Sequence, residues 1–146
     1  MSKIFKKIID VILVLMIILL VGYFALRITD KIVIYKVETG SMEDKIHAGD
    51  YILLLKRKNY KIGDVVTYQT SGYFVTHRIV EINGDKVTTK GDANNINDEE
   101  ISINQIEGKA IYWGGILNIL INYKFVIVSV LVGLYLISWY FERRKI

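Results

Sequence analysis

The stretch "YFVTHRIVEINGDKVTTKGD", residues 73–92, decides the fold class. Its first ten residues, Tyr73–Ile82, are rich in aromatic and β-branched side chains. Alternation along them puts Phe74 and Thr76 on one face, and Tyr73, Val75 and His77 on the other. Asn83-Gly84 follows, a pair that tolerates positive φ and so suits a hairpin turn. "KVTTKGD" then reads as the returning strand. Two strands around a tight turn predict an antiparallel pair.

The same texture extends outward. "KIVIYKV" (31–37), "DYILLLKRK" (50–58), "DVVTYQT" (64–70) and "GKAIYWGGI" (108–116) are short strand-like runs, bounded by Gly, Asn and Asp. Five or six such runs with no helical period predict a mainly β domain over residues 27–120. No internal repeat is present.

The flanks differ. "IIDVILVLMIILLVGYFAL" (8–26) is apolar apart from Asp10 near its start. As a helix it just spans a hydrocarbon core of about 30 Å. The second apolar block is expected to span over residues 121–141. Tyr123 and Lys124 at one end, and Trp139 and Tyr140 at the other, are suitable interface anchors. Lys3, Lys6 and Lys7 precede the first block, and Arg143, Arg144 and Lys145 close the second. By the positive-inside rule the basic ends 1–7 and 142–146 are both cytoplasmic. The β domain is then extracytoplasmic, on a multi-pass protein of the cell membrane. A cleavable signal peptide is the rival reading of the first block. Its apolar run is long for one, and no small-x-small site follows it. A re-entrant helix is the rival reading of the second.

Composition agrees with this division. The chain has 146 residues, 52% of them hydrophobic, yet 23% are charged. It contains no cysteine, which excludes disulfides and thiolate metal sites, and no proline. The net charge of +4 is modest, with basic groups at both ends, and is not read as a nucleic-acid signal.

Polar residues in the β domain stand out at Thr39-Gly40-Ser41-Met42, Thr76-His77-Arg78, Lys90-Gly91-Asp92-Ala93-Asn94-Asn95 and Asn97-Asp98. A serine between glycine and methionine is most often a turn residue, and a lone strand histidine a satisfied structural one. His47, the only other histidine, reads as a surface residue. Together, though, Ser41 and His77 have the types needed for nucleophilic catalysis. A serine hydroxyl needs an adjacent base, and a neutral histidine is the natural one. A carboxylate, Asp92 or Asp98, would fix the histidine tautomer. Two other readings stay open: a metal-dependent hydrolase using His77 and the aspartates, though their spacing matches no trusted ligand pattern, and a non-catalytic two-span protein whose β domain binds or assembles extracellular partners.

Five ordered runs, "TGSMEDKIHAGD", "IGDVVTY", "THRIVEI", "TTKGDANNINDE" and "IEGKAIYWGGIL", resemble the type I signal peptidases. The match is closest to the endoplasmic-reticulum subtype, also found in archaea and some Gram-positive bacteria. The resemblance implies a membrane-bound serine endopeptidase that cuts signal peptides after a small-x-small motif. It places Ser41 as nucleophile, His77 as general base, Asp98 as third triad member and Asp92 as an essential or supporting residue. Thr39 and the Ser41 N–H become candidate oxyanion donors, with Gly40 beside them to admit substrate backbone. Met42, with Ile32 and Ile34, is expected to offer apolar surface near the bilayer or the substrate pockets. The partners implied are signal-peptide-bearing preproteins, the lipid bilayer and a nearby Sec translocon. No cofactor and no metal are implied. The chain departs from the family in having Thr39 where serine is usual and no proline after Ser-Met. It also has no room for the extra β domain of larger bacterial members.

Overall fold

The computed structural model describes residues 3–28, 31–57 and 59–143. The outermost residues of both basic ends, 1–2 and 144–146, lie outside the described residues, as does Lys58, the last residue of the second expected strand. The chain divides into two compact units. One holds residues 1–26 and 119–146; the other, Arg27–Asn118, is the β unit.

Among the described residues the β unit contains seven strands: β1 (Ile32–Lys36), β2 (Tyr51–Leu55), β3 (Val65–Thr70), β4 (Tyr73–Asn83), β5 (Lys86–Lys90), β6 (Ile101–Ser102) and β7 (Ile106–Trp113). They form one sheet in the order β1-β2-β7-β3-β4-β5-β6, with every pair antiparallel. The strand β6 and the 3₁₀ turn Ile103–Gln105 that follows it are not among the runs expected from sequence. Ser102 and Gln105 cap that turn reciprocally, a local device with little hydrophobic pattern to announce it. The last expected run is also shifted: β7 starts at Ile106 and stops at Trp113, where Gly114 and Gly115 take φ of +60° and +49°.

The hairpin between β4 and β5 forms, but one residue later than expected. Asn83 pairs with Lys86, so Gly84 and Asp85 are the central residues. Only Gly84 has positive φ (+60°), which fits a type II′ rather than a type I′ turn.

Register shifts interrupt β2–β7, β3–β7 and β4–β5. Such bulges bend strands and increase twist, and the sheet buries both faces of β3. Val65 joins a cluster with Met42, Ile46, Ile52, Leu54 and Ala110. Its neighbour Val66 joins the opposite cluster, with Tyr68, Ile79, Val87 and Ile101. The Tyr35 ring of β1 lies 4.8 Å from the Phe74 ring of β4, although three strands separate β1 from β4 in the sheet. The sheet has therefore curled far enough to bring its first strand against its fifth.

The helices are α1 (Lys3–Ile28), α2 (Gly115–Asn122) and α3 (Lys124–Arg143). At 26 residues α1 is about 39 Å long. Counting only the described residues, no single helix is long and apolar enough to cross a membrane. The bent pair Gly115–Asn122 and Lys124–Ile137, at 71°, has the length and composition together. The second apolar block is thus two helices, not one straight rod. Its bend falls at Tyr123, between two polar residues, Asn122 and Lys124. Within the β unit, the Asn118 amide donates to Asp50 (2.6 Å) and its carbonyl accepts from the Tyr51 N–H (2.8 Å), which ties α2 to the start of β2.

Candidate active site

The site grows out of β4. Ladder partners share a face, so register sorts its neighbours. Tyr68 pairs with Val75, and Thr89 with Ile79. Tyr68, His77 and Thr89 therefore lie on one face of three adjacent strands. Arg78, the next residue after His77, points to the opposite face.

On the first face, His77 is buried and its Nδ1 lies 2.6 Å from Asp98 Oδ2. The same oxygen accepts from the Thr89 hydroxyl at 2.6 Å and the Tyr68 hydroxyl at 3.3 Å. The Asp98 N–H also donates to the Thr89 carbonyl (2.8 Å). A carboxylate oxygen only accepts, so Nδ1 must carry the proton and Nε2 is left with a free lone pair. That tautomer is the one a general base needs. Burial pushes the Tyr68 phenol up, and the nearby Asp98 carboxylate adds to the effect. The phenol therefore stays a protonated donor.

On the second face, Arg78 holds Asp92 through two hydrogen bonds, Nε to Oδ1 (2.8 Å) and Nη2 to Oδ2 (2.6 Å), and donates from Nη1 to the Gly63 carbonyl (2.7 Å). The Arg78 guanidinium holds the Asp92 carboxyl below the ordinary carboxylate range, against a smaller opposing effect of burial. Asp92 also lies 3.8 Å from Lys45 Nζ. Of the two aspartates, Asp98 orients His77, while Asp92 does not touch it. Nor do His77, Asp92 and Asp98 gather as metal ligands: among the described residues no group of three such side chains does.

Ser41 opens a loop that turns back on itself through Glu43 N–H to Gly40 carbonyl (3.0 Å) and Ile46 N–H to Met42 carbonyl (3.1 Å). The turn after Lys90 grips this loop. Ala93 N–H donates to the Ser41 carbonyl (3.0 Å), and Asp92 N–H to the Met42 sulfur (3.4 Å). Gly91 packs so closely that a Cβ there would stand 2.6 Å from the Ser41 carbonyl oxygen.

Ser41 and His77 line one cleft of about 690 Å³. Tyr35, Val37 and Thr39 contribute to one side, and Phe74, Val75 and Thr76 to the other. The two side chains make no direct hydrogen bond, and among the described residues the Ser41 hydroxyl has no hydrogen-bond partner.

The remaining expected residues fall as follows. Thr39 is exposed at the cleft, and Gly40 sits beside it with only the flexible Glu43 side chain against its open side. Met42 departs from the bilayer half of its expectation. It is 1% exposed and belongs to the core, so it presents no apolar surface to a bilayer. It lies two residues before Asp44, and the Ile46 N–H donates back to its carbonyl. Ile32 is buried as well, whereas Met42 lines the cleft from the core side together with Ile46, Tyr35 and Val37. His47 is exposed as expected and lies 3.6 Å from Asp50. Burial pushes the Asp50 carboxyl up, but hydrogen bonds from the His47 N–H and the Asn118 amide outweigh it and hold the group below its ordinary value. Sequence reasoning missed Thr89, Tyr68 and the Arg78 clamp. A threonine or tyrosine in a strand reads as β-propensity, and only register shows that these two converge on a carboxylate.

A histidine locked to a carboxylate, facing a cleft that also holds a serine with a free hydroxyl, is the arrangement on which serine hydrolases work. The family model for signal peptidase, peptidase S26, matches residues 8–112. The chain belongs to that family, and with it to the signal peptidases among the serine proteases. No curated protein matches the chain.

Proposed function

We propose that the chain is a membrane-bound endopeptidase that removes signal peptides from translocated preproteins with Ser41, His77 and Asp98. The observation that carries this reading is the 2.6 Å contact from His77 Nδ1 to Asp98, on a histidine that shares its cleft with Ser41. His77 Nε2 takes the Ser41 proton as Oγ attacks the scissile carbonyl, then returns it to the leaving amine. Catalytic hydrogen bonds are often unformed or long before substrate binds, and the Ser41–His77 hydrogen bond forms when the cleft fills. The Ser41 N–H, which has no acceptor among the described residues, and the Thr39 hydroxyl receive the developing oxyanion.

The substrate enters extended. Among the described residues β1 has β2 as its only ladder partner, so its other edge is open to strand addition beside the cleft. Tyr35 and Phe74, 4.8 Å apart, narrow the space available to side chains, which supports selection of small residues around the cut. Membrane residence is supported by the helices: Val14, Leu15, Ile18 and Leu19 of α1 and Val128, Val132, Leu136 and Trp139 of α3 are all exposed in the chain alone. A surface that apolar calls for lipid or a partner. Arg143 stacks over Trp139 at 4.6 Å, an aromatic-basic pair of the kind found at headgroups. The reading places both termini in the cytoplasm, the β unit outside, and the enzyme near the Sec translocon.

The test is cleavage of a preprotein by the purified chain in detergent or lipid. The wild type should cut once, after a small residue. Ser41→Ala should abolish cutting while leaving the melting temperature unchanged. Continued cleavage by Ser41→Ala would end the proposal.

A further inference from the structure

Asp98 does more than meet His77. Its Oδ2 takes three donors: His77 Nδ1 (2.6 Å), Thr89 Oγ1 (2.6 Å) and Tyr68 OH (3.3 Å). The two hydroxyls are themselves 3.3 Å apart. Each has one proton. The Thr89 hydroxyl donates over its short contact to Asp98 and faces the Tyr68 oxygen as the longer alternative acceptor, and the Tyr68 hydroxyl donates to Asp98. Thr89 is fully buried and Tyr68 is 4% exposed, so neither is there to meet solvent. They are contributed by β5 and β3, the strands on either side of the one that carries His77. Asp98 itself lies outside any strand, at the end of a loop that leaves β5 at Lys90. A loop carboxylate needs fixing if it is to hold a histidine in one tautomer. Thr89 does so twice, with its hydroxyl on the carboxylate and its carbonyl on the Asp98 N–H (2.8 Å).

We infer that Thr89 and Tyr68 are positioning residues for the reaction: they form a hydroxyl cradle that fixes the Asp98 carboxylate and, through it, the His77 base. The inference rests on the proposed Ser41–His77–Asp98 mechanism. Neither residue touches substrate. The cradle stands between strand and loop, so its loss frees a carboxylate without unpacking the sheet. A valine at 89 would sit among Ile79 and Val87 and fill the same space.

The experiment measures preprotein cleavage and melting temperature for Thr89→Val, Thr89→Ser and Tyr68→Phe, each made in the wild type and in Asp98→Asn. Thr89→Val should lower kcat about tenfold or more, the factor that matches one hydrogen bond to a charged group. KM and melting temperature should stay near wild type. Thr89→Ser, which keeps the hydroxyl, should recover most of the loss. Tyr68→Phe should cost less, since its contacts are longer, and it carries the same test if Thr89→Val does not fold. In Asp98→Asn, all three changes should have almost no further effect, because residues that act through Asp98 have nothing left to act on. A second readout is the Nδ1 proton of His77 by NMR, easily assigned in a chain with two histidines. Its hydrogen-bonded signal should be sharp in wild type and broadened by exchange in Thr89→Val. Wild-type kcat and an unchanged signal in Thr89→Val would overturn the inference, as would an equal loss in the Asp98→Asn background. Those results leave the triad itself standing. The triad falls instead if Ser41→Ala or His77→Ala still cleaves.

Discussion

Gly91→Ala should displace Ser41 by pressing on its main chain and leaving its hydroxyl untouched. The methyl carbon of an alanine at 91 would stand 2.6 Å from the Ser41 carbonyl oxygen and 2.7 Å from the Asn94 amide nitrogen. The Asn94 side chain has torsions to turn. The Ser41 oxygen is main chain, held by the Ala93 N–H at 3.0 Å, and has no such freedom. Ordinary contact begins at 3.4 Å, so the two segments must separate by 3.4 − 2.6 = 0.8 Å. Gly91 is not among the positive-φ glycines, so alanine suits the backbone there and the contact alone is at issue.

Misplacement of a reacting group by about 1 Å costs on the order of 100-fold in rate. A shift of 0.8 Å, partly shared by the Gly91 turn, should therefore lower kcat by about 10- to 100-fold. Overpacking of this kind costs about 1–3 kcal/mol of stability, which lowers the melting temperature without unfolding the chain. The assay is single-turnover cleavage of a preprotein at saturating enzyme, beside thermal unfolding of the same sample. Because Gly91 does not line the cleft, substrate affinity should change little. A wild-type turnover rate in Gly91→Ala would refute the argument that this turn positions Ser41. A loss carried wholly by KM would refute it too.

The Asp92–Arg78 clamp gives a dependence on acid. The Asp92 carboxyl is held below its ordinary value of 3.8, so the unfolded chain binds its proton first as pH falls. The stabilisation is complete above about pH 4 and drains away below it. Urea midpoints should fall over that range in wild type and fall less in Asp92→Asn, and equal slopes would contradict the assignment. The proposed membrane arrangement is open to cysteine labelling, since the chain has no cysteine of its own. In intact cells an impermeant maleimide should label Ser71→Cys, in the exposed β3–β4 turn, and spare Ser2→Cys; the reverse pattern would invert the topology.

Much of the β unit was legible in the sequence because alternation and turn residues act locally. β4 and β5 follow from "YFVTHRIVEINGDKVTTKGD" alone, and even the one-residue error at the turn has a local cause: Asn83 keeps negative φ and Gly84 takes the strained position. Two-residue β6 has too few side chains to show a period. The break at Tyr123 was hidden for another reason. Hydropathy sees "GGILNILINYKF" as continuous, whereas the bonds from Asn118 to Asp50 and Tyr51 join residues 67 and 68 positions apart. The burial of Met42 was hidden on the same ground, since its neighbours in sequence are polar and its neighbours in space are Ile46, Ile52 and Leu54.

The spacing of the two aspartates carries the last step. His77 and Arg78 are adjacent in β4 and therefore face opposite ways. Anything that serves both must approach the strand from both sides. The loop after β5 does this: Asp92, two residues past the strand, meets Arg78, and Asp98, six residues further, meets His77. On the Arg78 side the same loop grips Ser41 through Ala93 and Gly91. One short segment thus sets Ser41 from one face of β4 and His77 from the other. That explains why a mainly polar run, "KGDANNIND", is well placed while having almost no core of its own. It also separates the two acids by consequence. Loss of Asp98 should act on the base, whereas loss of Asp92 should act on the position of Ser41 and on stability in acid. A double variant that lost no more activity than Asp98→Asn alone would show that both act through His77, and would sink this division of labour.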